Sequence, residues 1–279
     1  MKISLMTLTM FLRAIFKFQL DHDRADLLEL YEEIFQMAKT AGYTSLDICS
    51  METMLITVEH IEMLMQKYDM SISSYIYLDQ CNSPAEGIQQ AIETAKRLGA
   101  GVLMLAPQWT DNLNGLDREA IHNFLVQRWT EGVAKAIAQG LKVVVEDTPD
   151  LKFHLCKAED VQALLERIPG VQMVYDSGNM VLVNEDPVSY CEKFADKIGY
   201  VHLKDMRIAI PGEPYADTAA DGRLMKGAPS GTGLIDLKAV VAKLKEIGYT
   251  GNMVVEFYAK PDGDFQASLC ESFAYISNL

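Results

Sequence analysis

Three apolar runs end in a carboxylate, VVVE at Glu146, MVYD at Asp176 and MVVE at Glu256, and a fourth, IGYVH, ends in an imidazole at His202. Each has the length and β-branched content of a buried strand. Side chains alternate along a strand, so in the stretch IGYVHLKDM His202 and Lys204 share one face and Leu203 takes the other. An imidazole and an ammonium on one buried face need partners, and the three carboxylates stand at matching strand ends. Three carboxylates and one imidazole suit one divalent ion of borderline-to-hard character with open positions, Mn²⁺, Co²⁺, Mg²⁺ or Zn²⁺. The competing reading is that each acid merely caps the helix that follows its strand.

The elements that would bring these residues together alternate regularly. Strands are expected at Ile3 to Thr9, Ser45 to Cys49, Ile72 to Leu78, Val102 to Ala106, Lys142 to Glu146, Val171 to Asp176, Tyr200 to Lys204 and Asn252 to Phe257. Helices are expected near Arg24 to Thr40, at a segment ending Val58 to Lys67, and at Pro84 to Leu98, Asp117 to Ala138, Ala158 to Arg167, Pro187 to Asp196 and Leu237 to Ile247, with a last one from Phe265. Pro84 at a start and Gly99 after an end follow the usual asymmetry of helix termini. Eight such units in 279 residues fit an α/β (β/α)₈ TIM barrel, typically ~250 residues long. The chain reads as a single domain over residues 1–279, with a long irregular loop, 207–233, after the seventh strand. An open doubly wound sheet also alternates strand and helix, but no GxGxxG follows the first strand. In a barrel the C-terminal strand ends converge on one mouth, so strands five to eight would present the four ligands side by side.

Bulk properties narrow the class. The net charge of -14, without a dense Lys/Arg cluster, argues against a nucleic-acid partner. The five cysteines are odd in number, scattered and without a CxxC, which fits a reducing, cytoplasmic setting. The N-terminal ISLMTLTMFL superficially resembles a signal peptide, but Arg13 and Lys17 interrupt it and no small-residue cleavage site follows. No apolar run approaches the ~20 residues needed to span a bilayer, so no membrane partner is expected.

The segments VVVED, VYDSGN, YVHLKD, GTGLID and MVVEF, in this order and spacing, resemble the xylose-isomerase-like TIM barrels of sugar isomerases and epimerases. The resemblance covers the whole chain and implies that Glu146, Asp176, His202 and Glu256 bind one divalent metal. Within the ketose 3-epimerase branch it further implies that Glu146 and Glu256 form the catalytic acid/base pair. The DSGN, HLKD and GTGLID segments are more similar to pentulose-5-phosphate 3-epimerases than to free-sugar enzymes, which tend to carry His at the position of Asn179. The loop from Arg207 to Ser230 is longer than either branch implies.

The expected function is therefore a metal-dependent sugar or sugar-phosphate epimerase or isomerase in carbohydrate metabolism. Its leading form is 3-epimerisation of a ketose, in which a proton α to the carbonyl is removed through a metal-stabilised enediolate. An inosose-type dehydratase shares that proton abstraction, and a non-catalytic sugar-binding barrel is the alternative outside enzymes. A three-zinc endonuclease on the same fold would need more than the five histidines present.

Asn179 and Lys204 are expected to bind substrate. Ser230 and Gly231, in the turn that runs to Gly233 before the Leu237 helix, would cradle a phosphate with free backbone N–H groups. Asp47, Tyr77 and Gln108 end strands two to four and would line the far wall. His22, His60, His122 and His154 fall in helices or loops as packing or surface residues. Met- and Tyr-rich helix faces would permit a homo-oligomer.

Overall fold

The computed structural model describes residues 1–18, 24–84, 87–148, 153–214, 216–259 and 264–279. Eight parallel strands close into a barrel: β1 (Lys2–Met6), β2 (Ser45–Cys49), β3 (Ser71–Gln80), β4 (Val102–Gln108), β5 (Lys142–Glu146), β6 (Gln172–Asp176), β7 (Ile198–Leu203) and, last in the chain, β11 (Asn252–Glu256). The ring closes where β1 pairs with β11, from Lys2 opposite Asn252 to Met6 opposite Glu256. The expected TIM barrel is therefore present, and the open sheet is excluded. Strands covered by helices outside and by one another's side chains inside must be apolar on both faces. Met6, Cys49, Ile76, Met104, Val144, Val174, Tyr200 and Val254 form the inner layer, while a larger apolar core lies between strands and helices.

The helices are α1 (Leu8–Phe18), α2 (Arg24–Ala41), α3 (Ser50–Leu55), α4 (Val58–Tyr68), α5 (Gly87–Arg97), α6 (Arg118–Ala138), α7 (Ala158–Leu165), α8 (Ser177–Leu182), α9 (Pro187–Lys193), α10 (Leu237–Glu246) and α11 (Phe265–Ser277). Aspartates start several of them: Asp117 Oδ1 accepts Ala120 N–H at 2.9 Å, Asp236 that of Ala239 at 3.0 Å and Asp264 that of Ala267 at 2.8 Å. Each satisfies a donor the helix itself cannot pair. The sequence pattern missed α1, α3 and α8, which begin at or next to the ends of β1, β2 and β6. It also placed the α5 start at Pro84, where residues 85–86 lie outside the described segments. Segment 207–233 is not structureless. Its strands β9 (Asp217–Thr218) and β10 (Leu224–Ala228) join β8 (Asp205–Ile208) in an antiparallel sheet of order β8-β10-β9.

Register places the ligand-type residues. Asp176 is directly opposite His202 across the β6–β7 pair, where a register shift at Met173/Val174 adjusts the alignment. Val254 is opposite His202 on the other side, so Glu256 stands two residues further toward the mouth. Glu146 is opposite Val174, one pleat below Asp176. Among the described residues no helix is long and apolar enough to cross a membrane.

Candidate active site

The four expected ligand residues meet at the C-terminal mouth. Ligand atoms of Glu146, Asp176, His202 and Glu256 all lie within 4.8 Å of one another. Donors ~2.0–2.2 Å from one ion can stand at most ~4.4 Å apart, so a few tenths of an ångström of adjustment would enclose a metal. His202 Nδ1 is 2.8 Å from Glu146 Oε1, and its Nε2 faces Asp47 Oδ2 at 3.5 Å. Asp176 divides its roles between its oxygens. Oδ1 caps α8, accepting the N–H groups of Gly178 at 2.7 Å and Asn179 at 2.9 Å. Oδ2 is buried without a hydrogen-bond partner among the described residues. An orphaned buried carboxylate oxygen among an imidazole and two further carboxylates is what a divalent ion would satisfy, so the residues present fit the group. Capping the helix with one oxygen leaves the other available, so the two expected roles of this aspartate are compatible.

Lys204 supplies positive charge inside the cluster. Its Nζ is 2.8 Å from Glu256 Oε1 and 3.8 Å from Asp176 Oδ2, and it donates to Asn179 Oδ1 at 3.1 Å. It does not pair with Asp205. Asn179 in turn donates from Nδ2 to the Asp147 carbonyl at 3.2 Å. Gly178 makes room for this lysine, because a Cβ there would lie 2.3 Å from Lys204 Cδ.

Burial sets the charge states. Desolvation, with Glu256 and Glu146 adding repulsion, pushes the Asp176 carboxyl up to about 7 against the pull of Lys204. Burial also opposes ionisation of Glu256, but Lys204 and His202 outweigh it and hold that carboxyl below its usual range. Desolvation disfavours the charged forms of His202 and Lys204. The surrounding carboxylates, Glu146 and Asp47 for the histidine and Asp176 and Glu256 for the lysine, nevertheless hold both well above their ordinary values.

A cavity of about 400 Å³ opens above the cluster. Glu146, Asp147, Thr148, Asn179, Lys204 and Glu256 line its polar side, whereas Asp176 and His202 lie fully buried outside that lining. The two glutamates are therefore the cluster members that a bound molecule would meet. Among the described residues both Asp147 carboxylate oxygens and Thr148 Oγ1 are buried without hydrogen-bond partners, and burial beside Asp176 and Glu146 pushes the Asp147 carboxyl well up.

Ser230 and Gly231 do not act as the sequence suggested. Asp205 Oδ2 accepts the N–H groups of Gly231 at 2.9 Å and Gly233 at 2.8 Å. Ser230 N–H donates to Ser272 Oγ and Thr232 N–H to the Pro229 carbonyl. The turn has no free N–H to offer a phosphate, because the chain's own carboxylate fills the cradle. Of the far-wall residues, only Gln108 lines the cavity. Tyr77 packs against Gly87, and Asp47 is buried beneath His202, accepting from Tyr200 OH at 2.7 Å and Ser73 Oγ at 2.5 Å. His122 is a packing residue, its Nε2 2.7 Å from the His154 carbonyl, and His22 lies outside the described residues.

Sequence reasoning missed Tyr258, whose hydroxyl donates to Glu256 Oε1 at 2.8 Å. Its ring packs on Gly227 of β10, where a Cβ would come within 2.2 Å of it. A tyrosine two residues beyond a ligand carboxylate was the available signal.

Known proteins resemble this chain in sequence and in fold. An inosose dehydratase of Geobacillus kaustophilus is 30% identical over 160 residues, 52% of this chain and 52% of that protein. The chain thus spans about half the length of that relative. The zinc-bound IOLI protein superimposes with a TM-score of 0.71 at 18% identity, covering 99% of this chain and 96% of the other. A Methylomonas D-allulose 3-epimerase in complex with D-allulose gives a TM-score of 0.71 at 17% identity, covering 100% of this chain and 96% of the other. Residues 35–270 match the xylose isomerase-like TIM barrel family. With that match over most of its length and a closed eight-stranded barrel carrying the Glu/Asp/His/Glu cluster, the chain belongs to the xylose isomerase-like TIM barrel family.

Proposed function

We propose that the protein abstracts the proton α to the ketone of a keto-polyol and completes the reaction by loss of water, as an inosose-type dehydratase. The observation that carries the abstraction is that Glu146 and Glu256 alone of the cluster line the cavity. The similarity to inosose dehydratases favours water loss as the outcome. A divalent ion held by Glu146, Asp176, His202 and Glu256 would act as a Lewis acid, polarising the ketone beside the acidic C–H.

Glu256, kept ionised by Lys204, is the base that takes the proton. Glu146, part-exposed on the cavity side, would enter as the protonated acid and give its own proton to the departing hydroxyl, which leaves as water. Asp147 and Thr148 offer unpartnered oxygens to ring hydroxyls, and Asn179 holds Lys204 in place. The occupation of the Gly231/Gly233 cradle by Asp205 supports a free rather than a phosphorylated polyol as the substrate.

The paired glutamates also support 3-epimerisation of a ketose, which needs an acid and a base on opposite faces of one carbon. The Mn²⁺-loaded protein, incubated in D₂O with 2-keto-myo-inositol and separately with D-fructose, decides between these. Loss of water from the inosose is the expected result. Deuterium at C3 of an inverted ketose, with no dehydration, would make it an epimerase. No exchange with any ketone despite bound metal would leave a sugar-binding barrel. Glu146→Gln and Glu256→Gln should each lower turnover by ~10²–10⁴-fold.

A further inference from the structure

Glu256 ends β11, and the torsion that turns its carboxylate is a soft one that the strand does not set. Two donors set it instead. Lys204 Nζ and the Tyr258 hydroxyl both lie 2.8 Å from Oε1, so both lone pairs of that oxygen are engaged. With one oxygen pinned from two directions, the plane of the carboxylate is fixed and Oε2 with it. Lys204 reaches Oε1 on a flexible four-carbon stem, and alone it would leave the carboxylate free to turn about the N···O axis. Tyr258 reaches the same atom from two residues further along the chain, on a rigid ring.

That ring has a seat on the long segment after β7. Gly227 of β10 stands opposite Met206 of β8, and a Cβ added there would lie 2.2 Å from Tyr258 Cγ and Cδ2. The ring therefore lies on bare backbone, and any side chain at this position would push it away. Gly227 is not in the left-handed region, so the close approach of the ring is what calls for glycine. We infer that Tyr258 is a positioning residue for the general base: its hydroxyl, seated by Gly227, holds Glu256 Oε1 and so aims the carboxylate at the metal site and the substrate proton. The small β8-β10-β9 sheet is the support of that tyrosine. The inference rests on the reading of Glu256 as the base and adds the residues that orient it.

The test compares Tyr258→Phe, Gly227→Ala and the two combined in the full chain. Phenylalanine keeps the ring on its seat and removes only the hydroxyl. Partners that hydrogen-bond a ligating carboxylate are worth ~10–100-fold in metal affinity or activity. Tyr258→Phe is therefore expected to weaken Mn²⁺ binding in calorimetric titration by about tenfold. With Mn²⁺ saturating, and with whichever of 2-keto-myo-inositol and D-fructose the parent turns over, kcat should fall ~10–100-fold at nearly unchanged KM. Gly227→Ala should bring the same two losses by displacing the hydroxyl. In the Tyr258→Phe background it should add nothing, since no hydroxyl is left to displace.

A Tyr258→Phe protein equal to an active parent in Mn²⁺ affinity and kcat would overturn the inference while leaving the proposed function intact. A loss confined to KM would overturn it too, by making the hydroxyl a substrate contact. Full further losses from Gly227→Ala on top of Tyr258→Phe would show that the glycine serves the sheet alone and would overturn the seat. Should Gly227→Ala by itself not fold, adding Tyr258→Leu is expected to restore folding by removing the ring it collides with, and failure to do so would likewise overturn the seat. A metal-loaded parent that turns over neither ketone would sink the reading of Glu256 as the base and this inference together.

Discussion

Lys204 Nζ lies 2.8 Å from Glu256 Oε1, so an ammonium neutralises one of the four residues that would hold a metal. At an effective dielectric of ~20, two unit charges ~4 Å apart interact by ~4 kcal/mol, and a dication would feel this lysine strongly. Lys204→Met is therefore expected to raise Mn²⁺ affinity by on the order of tenfold or more. The metal-free variant should melt earlier, because Glu256 and Asp176 lose their buried counter-charge. Calorimetric titration and melting with and without Mn²⁺ check this; an affinity that falls would show that the lysine helps build the site.

Asp47 stands behind His202 as Glu146 stands before it. A carboxylate behind a ligating imidazole fixes the ring and its tautomer, and loss of such a partner costs ~10–100-fold in metal affinity. Asp47→Asn keeps an acceptor for Tyr200 and Ser73 but removes the charge facing Nε2. The expected result is a loss of Mn²⁺ affinity in that range, with the metal-free protein melting earlier because buried His202 loses a counter-charge. Unaltered affinity would assign Asp47 to barrel packing alone.

The barrel and the cluster were legible because both are periodic features: apolar runs that end in a ligand type, four times in succession. What escaped depended on contacts between distant segments. The Gly231 turn has the composition of an anion cradle, and nothing local tells that Asp205, 26 residues earlier, fills it. Asp47 lies mid-strand in β2, and only barrel closure brings it under a histidine 155 residues away in the chain. Helix α1 was hidden because TMFLRAIFKF continues an apolar start, and the β8–β10 sheet because its strands are short and interrupted by Pro, Gly and Asp.

Asp205 is the anchor of the long segment after β7. Its two oxygens accept from Met206 and Ile235 on one side and from Gly231 and Gly233 on the other, which ties the small sheet to the start of α10. Asp205→Asn would turn an NH₂ group toward one of these donor pairs. Bonds to a charged acceptor contribute ~1.5–3 kcal/mol, so a loss of ~2–4 kcal/mol is expected, read by urea unfolding. If the anchored turn loosens, inorganic phosphate should gain no more than weak binding there, since the charge of Asp205 no longer repels it but the N–H groups have also lost their alignment.

Glu52 gives the fold a pH dependence of its own. It is fully buried at the start of α3, where Oε2 accepts Cys49 N–H at 2.6 Å and Oε1 accepts Thr7 Oγ1 at 2.5 Å and Tyr31 OH at 3.2 Å. Burial pushes its carboxyl up to about 7, against the pull of these hydrogen bonds. The folded value exceeds the ~4.3 of an unfolded chain, so the native state holds the proton longer. This group's favourable contribution is full below the unfolded value and is lost as pH rises through the window up to about 7. In Glu52→Gln the carbonyl can still accept Cys49 N–H, while the Thr7 and Tyr31 hydroxyls can turn to accept from the amide. That variant should lose less stability than the parent between about pH 5 and pH 8, by up to ~3 kcal/mol. Parallel unfolding curves for the two proteins across that range would show that Glu52 stays ionised throughout.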